Sequence, residues 1–125
     1  MKLFNKKKLS PDFPEPTDEE IKKTQRTIMV QYGVELSRKN AVQFANLTKE
    51  LSWWINLKDD SSSKAKIIDE IIVECRYTYR KKYQREMTKS EAINCAETLL
   101  SESLEKEKQR IKEEMTAIIS SGDEN

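Results

Sequence analysis

The chain is poor in glycine and proline, and this scarcity limits the folds that it can adopt. Its 125 residues include two glycines and three prolines, and all three prolines lie within the first sixteen residues. A sheet needs several tight turns, which glycine and proline commonly supply. No segment shows the sustained alternation of a strand, whereas apolar residues recur at helical spacing. The sequence therefore predicts an all-α fold.

Residues that commonly end helices divide the chain into four predicted helices. Thr17 and Glu20 form a capping box at the start of the first helix, and Gly33 suits its end. Thr88 and Glu91 form a second capping box at the start of the last helix. A serine among residues 61–63 is expected to cap the third helix. The predicted helices cover roughly 18–32, 38–58, 64–86 and 88–119.

We expect one domain, because a chain of 125 residues is long enough for a single core. The prediction is a single-domain helical bundle over residues 17–119, ending in a long C-terminal helix. Prolines prevent regular helix in residues 1–16, which should form an extended, flexible and partly basic tail. Residues 120–125 should form a disordered acidic tail.

The three longer helices each carry one main apolar stripe that should face the core. In the second helix the stripe consists of Ala41, Phe44, Leu47, Leu51, Trp54 and Ile55. In the third helix it consists of Ile68, Ile72, Cys75, Tyr79 and Tyr83. In the last helix it consists of Ile93, Leu100, Leu104, Ile111, Met115 and Ile118.

The composition argues against catalysis and against a bound metal or cofactor. The chain has no histidine, so the commonest general base and metal ligand are absent. Its two cysteines are twenty positions apart and form no C-x-x-C pair, so we expect reduced, partly buried thiols in a cytoplasmic protein. Two glycines cannot build a glycine-rich phosphate loop. No signal peptide and no membrane-spanning run is apparent.

One stretch, "CRYTYRKKYQRE" at residues 75–86, combines three tyrosines with five basic residues. A helical wheel places Tyr79 and Tyr83 in the core stripe. It places in solvent a candidate binding surface that consists of Arg76, Tyr77, Arg80, Lys81 and Arg85. Such a surface could hold a phosphate backbone, with one ring to stack on a base. It could also hold an acidic protein, or be an ordinary solvated helix face.

Two apolar sets form a second candidate surface. Val42, Trp53 and Leu57 lie away from the main stripe of the second helix, which indicates either an exposed patch or a helix buried on both sides. In the last helix, a charged interruption precedes a further apolar set, which either another chain or the first two helices would cover. That set consists of Ile111, Met115 and Ile118.

These observations predict a small, non-catalytic, cytoplasmic helical protein that binds another macromolecule. The preferred interpretation is a protein–protein interaction or regulatory module with a protein partner, which could be acidic. The alternative is a DNA- or RNA-binding protein that uses the basic face from Arg76 to Arg85. A homo-oligomer could form through the C-terminal helix or through the Trp53 patch. No membrane partner and no cofactor are expected.

Overall fold

The computed structural model describes residues 9–121 of the chain. In this range the chain forms four α-helices and no β-strand. The helices are α1 (Asp18–Tyr32), α2 (Arg38–Leu57), α3 (Ser61–Tyr83) and α4 (Lys89–Ser121). The predicted all-α fold class, with a long C-terminal helix, is confirmed.

The ends of α1 follow directly from its capping residues. The Thr17 hydroxyl accepts a hydrogen bond from the backbone N–H of Glu20 at 3.1 Å. At the other end, Gly33 has a φ of 67° and its N–H donates to the Met29 carbonyl at 2.9 Å. This left-handed conformation strains residues that have a Cβ atom, so glycine suits the position. Helix α1 begins and ends where the sequence predicts.

The start of α3 differs from the prediction, because the cap is an aspartate and not a serine. The two carboxylate oxygens of Asp60 accept hydrogen bonds from Ser63, one from its backbone N–H at 3.1 Å and one from its hydroxyl at 2.8 Å. An aspartate caps a helix as well as a serine does. Helix α3 consequently begins at Ser61 and ends at Tyr83, earlier at both ends than predicted.

The described residues fall into two compact units. One contains residues 12–54 and 107–121, and therefore α1, most of α2 and the second part of α4. The other contains residues 9–11 and 55–106, and therefore α3, the first part of α4 and the last turn of α2. One domain over residues 17–119 stays a prediction.

The two predicted tails are described only in part. Residues 9–17 contain no helix, and Ser10 within them is buried. Helix α4 continues through Ser121, two residues into the segment that was predicted to be disordered. The predictions for residues 1–8 and 122–125 lie outside the described residues.

In the unit that contains α1, ion pairs accompany an apolar core. Lys49 of α2 pairs with Glu20 of α1 at 3.1 Å, and Arg110 of α4 pairs with Glu50 of α2 at 2.9 Å. The side-chain amide of Gln25 donates to the Leu36 carbonyl at 2.9 Å. The buried apolar residues of this unit are Ile21, Ile28, Leu36, Ala41, Ala45, Leu47, Trp54, Ile111 and Ile118.

In the unit that contains α3, the buried line on this helix differs from the predicted one. The buried apolar residues of the unit are Leu57, Ile67, Ile71, Cys75, Ala92, Ala96 and Leu100. Ile68 and Ile72, which were predicted to lead the stripe, are half-buried. Two adjacent isoleucine pairs occupy 67–68 and 71–72, so apolar character does not show which residue of each pair lies deeper.

The neighbouring tryptophans of α2 differ in burial. Trp54 is 2% exposed, which confirms its predicted core position, and Trp53 is half-buried. Their rings meet edge to face, with centroids 5.0 Å apart and planes at 83°. The indole N–H of Trp54 has no hydrogen-bond partner among residues 9–121. The packing of Trp54 therefore comes from its apolar ring surface.

We expect Trp54→Ala to lower the free energy of unfolding by about 3–5 kcal/mol, because it removes a buried aromatic ring. Trp53→Ala should cost clearly less, since part of that ring is already in water. Denaturant titrations followed by far-UV circular dichroism measure both losses. Trp54→Phe is the matched control, because it keeps a buried ring and removes the unpaired N–H. Equally large losses from both alanine variants would contradict this difference between the two tryptophans.

Candidate functional site

The C-terminal end of α3 forms a surface because the chain reverses direction immediately after it. Gln84 adopts a left-handed conformation with a φ of 57°, and its N–H donates to the Arg80 carbonyl at 2.8 Å. A capping box then starts α4. The Thr88 N–H donates to the Glu91 carboxylate at 3.0 Å, and the Glu91 N–H donates to the Thr88 hydroxyl at 3.1 Å. The predicted capping box is confirmed.

Three tyrosine rings lie on the last turns of α3. Tyr77 is 59% exposed and Tyr83 is 55% exposed, while Tyr79 is half-buried. The rings of Tyr79 and Tyr83, one turn apart, have centroids 4.7 Å apart. The prediction that Tyr83 lies in the core is wrong. Tyr83 continues the four-residue spacing of the buried Ile67, Ile71 and Cys75, but it is the last residue of α3 and lies beyond the buried part of the helix.

Each of these rings lies against a cation from a nearby residue. The Lys81 ammonium is 5.1 Å from the centroid of Tyr77, and the Lys82 ammonium is 5.3 Å from that of Tyr83. The Arg85 guanidinium is 4.9 Å from the centroid of Tyr79. Exposed cation–π contacts contribute about 0.5–1 kcal/mol each. We call the whole group the α3 terminal surface, which consists of Tyr77, Tyr79, Arg80, Lys81, Lys82, Tyr83 and Arg85.

The cations of the α3 terminal surface differ in whether they meet a carboxylate. Arg80 pairs with Glu86 at 2.7 Å, and Arg85 lies 3.6 Å from Glu91. Lys81 and Lys82 form no ion pair with any acid in residues 9–121. The two lysines therefore carry the uncompensated positive charge of this surface.

Arg76 differs from the other predicted members of the binding surface. It is half-buried, and its Nε atom is buried without a hydrogen-bond partner in the described part of the chain. Tyr77, Arg80, Lys81 and Arg85 are exposed, as expected from the helical wheel. Arg76 therefore belongs only in part to the solvent-exposed face that the wheel predicts.

The predicted apolar surface is largely covered by the chain itself. Leu57, Ile111 and Ile118 are buried, which agrees for these three side chains with the alternative that the chain's own helices cover them. Val42, Trp53 and Met115 are half-buried.

The charged interruption in α4 is an ion-pair cluster around one arginine. Arg110 contacts Glu107 at 2.7 Å, Glu114 at 2.9 Å and Glu50 of α2 at 2.9 Å. The adjacent Ile111 is fully buried. The charges thus join α4 to α2 within one unit, and they do not mark a helix end that extends away from its own core.

The two cysteines lie side by side, although twenty positions separate them. The Cys95 thiol donates to the Cys75 sulfur at an Sγ–Sγ distance of 3.4 Å, and both are free thiols. The pKa of the Cys75 thiol is raised to about 12, mainly by burial and in smaller part by its hydrogen bond with Cys95. A thiol with such a pKa stays protonated at neutral pH and is a poor nucleophile.

The described residues contain no group of three or more histidine, cysteine, aspartate or glutamate side chains that could hold a metal ion. None of their helices combines the length and the apolar character that crossing a bilayer requires. No protein-family model, curated protein or solved structure matches the chain.

Glu91 should make the start of α4 sensitive to acid. Its pKa lies below the ordinary value of 4.5, mainly because its carboxylate accepts the Thr88 backbone N–H, with smaller contributions from the Thr88 hydroxyl and Arg85. A lowered folded-state pKa adds stability that is complete above 4.5 and is lost as the pH falls through the folded-state value. Thermal melts between neutral and acidic pH should therefore show a smaller fall in Tm for Glu91→Gln than for the unchanged protein.

The glutamine variant keeps an oxygen that can accept the Thr88 N–H, so its helix start should remain capped. Glu97→Gln is the control, because it removes an exposed carboxylate of α4 that lies outside the capping box. A Glu91→Gln protein with the same acid dependence as the unchanged protein would contradict the role assigned to this carboxylate.

Proposed function

We propose that the chain is a non-catalytic protein–protein interaction module whose α3 terminal surface binds an acidic segment of a partner protein. The observation that carries this proposal is the pair Lys81 and Lys82. Both lysines meet no carboxylate in residues 9–121, and each lies over a ring that is more than half exposed. A cytoplasmic location, expected from the sequence, is part of the proposal, and so is a regulatory rather than a catalytic role.

Charge complementarity supports an acidic partner. The whole chain has a net charge of only +1, yet residues 76–85 contain five basic side chains and no acid. A carboxylate of a partner could pair with Lys81 or Lys82 without displacing a carboxylate of this chain. An apolar side chain next to it could pack on Tyr77 or Tyr83. Tyrosine and arginine are also the residue types that often dominate the energetics of protein interfaces.

Two glutamates that pair with arginines of the α3 terminal surface favour a protein partner over a nucleic acid. Glu86 and Glu91 pair with Arg80 and Arg85, so two carboxylates lie among the cations. A continuous phosphate backbone would meet these carboxylates at close range. A peptide can place its charges at separate points and avoid them. The balance of 23 basic and 22 acidic residues in the chain points the same way, because nucleic-acid-binding domains are usually basic.

Binding of single-stranded DNA or RNA is the second candidate, and the exposed rings favour it. Tyr77 and Tyr83 each present more than half of their surface to solvent beside a lysine. Stacking of an unpaired base on such a ring contributes about 1–3 kcal/mol to binding. The same four side chains would therefore serve either partner, and affinity measurements with two probes distinguish them.

Replacing Lys81 and Lys82 together by Gln should weaken the binding of a fluorescent acidic peptide at least about tenfold, which corresponds to about 1.4 kcal/mol. The variant removes two charges and keeps good helix formers, so its helix content and Tm should hardly change. Fluorescence anisotropy at low salt measures the affinity. A single-stranded oligonucleotide with the same label, titrated over several salt concentrations, is the second probe.

Lys22→Gln with Lys23→Gln is the matched control, because these are also adjacent, exposed lysines of a helix. It changes the net charge equally and should leave peptide binding unaltered. Unchanged peptide affinity in the Lys81 and Lys82 variant would overturn the proposed surface. Tighter binding of the oligonucleotide, with an affinity that falls steeply as salt rises, would replace the protein partner by a nucleic acid.

A further inference from the structure

The thiols of Cys75 and Cys95 stand opposite one another in the unit that contains α3. Cys75 belongs to α3 and Cys95 to α4, and their sulfurs are 3.4 Å apart. A disulfide has a sulfur–sulfur bond of about 2.05 Å, so the two atoms need to approach by about 1.4 Å. Both side chains already point towards each other, since one thiol donates a hydrogen bond to the other sulfur. Bond formation therefore begins from two sulfurs that are already in contact.

We propose that Cys75 and Cys95 are an oxidative modification site, which forms a reversible disulfide between α3 and α4 by exchange with a small-molecule disulfide of the glutathione type. This proposal does not depend on the function of the α3 terminal surface. It adds a covalent state of the chain to the two reduced thiols that the sequence analysis expects.

The different burial of the two thiols assigns the order of the steps. Cys95 is half-buried and Cys75 is 1% exposed, so an external disulfide can reach Cys95 first. The Cys95 thiolate attacks one sulfur of the small disulfide, which releases one glutathione thiolate and leaves a mixed disulfide on Cys95. Cys75 then loses its proton and attacks the Cys95 sulfur, which releases the second glutathione. Two protein thiols are oxidised, and one small disulfide is reduced to two thiols.

Burial of Cys75 suits it to the second step and not to the first. Its pKa is raised to about 12, so its thiolate is scarce at neutral pH and external reagents meet little of it. In the mixed disulfide the target sulfur is held next to Cys75, and a high local concentration compensates for the small thiolate fraction. A pair with one reachable and one buried thiol therefore favours an internal disulfide over a second glutathione adduct.

The bond would close a loop that contains the whole α3 terminal surface. The cysteines are separated by twenty positions, and the last turns of α3 and the start of α4 lie between them. Such a closure restricts the unfolded chain and stabilises the folded one. The reduced and oxidised proteins should consequently differ in Tm by about 5–10 °C, with the oxidised form melting higher.

The experiment uses the full chain, first reduced and then freed of reductant. Incubation with oxidised glutathione under anaerobic conditions should yield monomer whose intact mass has fallen by two hydrogens, with no glutathione attached. Proteolysis without reduction should release one peptide pair linked through Cys75 and Cys95. The rise in Tm should disappear when a reductant is added.

Single variants separate the two steps. Cys75→Ser should accumulate glutathione on Cys95 and go no further, whereas Cys95→Ser should react with oxidised glutathione at least about tenfold more slowly, because its remaining thiol is buried. The measurement on the unchanged chain stands even if a variant fails to fold. Two glutathione adducts per chain, disulfide-linked dimers, or thiols that stay unreacted would each overturn the proposal.

Discussion

The chain reversal between α3 and α4 determines how the unit that contains α3 is built. A left-handed Gln84 ends α3, and the Thr88–Glu91 capping box starts α4 five residues later. This short connection makes the two helices antiparallel neighbours. It keeps the last turns of α3 at the surface, and it places Arg85 beside Glu91. Gln84 has no β-branch and can adopt this positive φ, although the conformation is strained. The two capping hydrogen bonds of α4 help to offset that strain.

The helices could be predicted from the sequence where side chains act on the nearby backbone. Thr17, Glu20 and Gly33 set α1 correctly because capping and glycine conformation are local effects. The α3 cap was misplaced because Asp60 and the serines after it are equally good caps. The depth of Ile67 and Ile71, relative to the isoleucines that follow each of them, depends on packing against other helices. That packing is a tertiary effect, which periodicity does not contain.

The candidate sites show the same division between local and tertiary information. The helical wheel placed Tyr77, Arg80 and Lys81 in solvent because exposure on one helix follows its 3.6-residue period. The covering of Ile111 depends on helices elsewhere in the chain, and an isolated wheel cannot show it. The proximity of Cys75 and Cys95 could have been predicted from their distances to the helix ends. At 1.5 Å per residue, Cys75 lies about 12 Å before the end of α3 and Cys95 about 9 Å after the start of α4, so a tight antiparallel connection brings them nearly level.

Under the proposed function, the α3 terminal surface would select its partner through a few individual charges and not through a large region of positive potential. Arg80 and Arg85 are each partly neutralised by a glutamate, and exposed pairs of this kind contribute little to stability. Their consequence is to confine free positive charge to Lys81 and Lys82, which the tyrosine rings hold in position. A partner with a carboxylate at that spacing gains contacts without breaking internal pairs. A uniformly charged polymer gains the same two contacts and also meets two carboxylates, so its advantage in charge is lost at this surface.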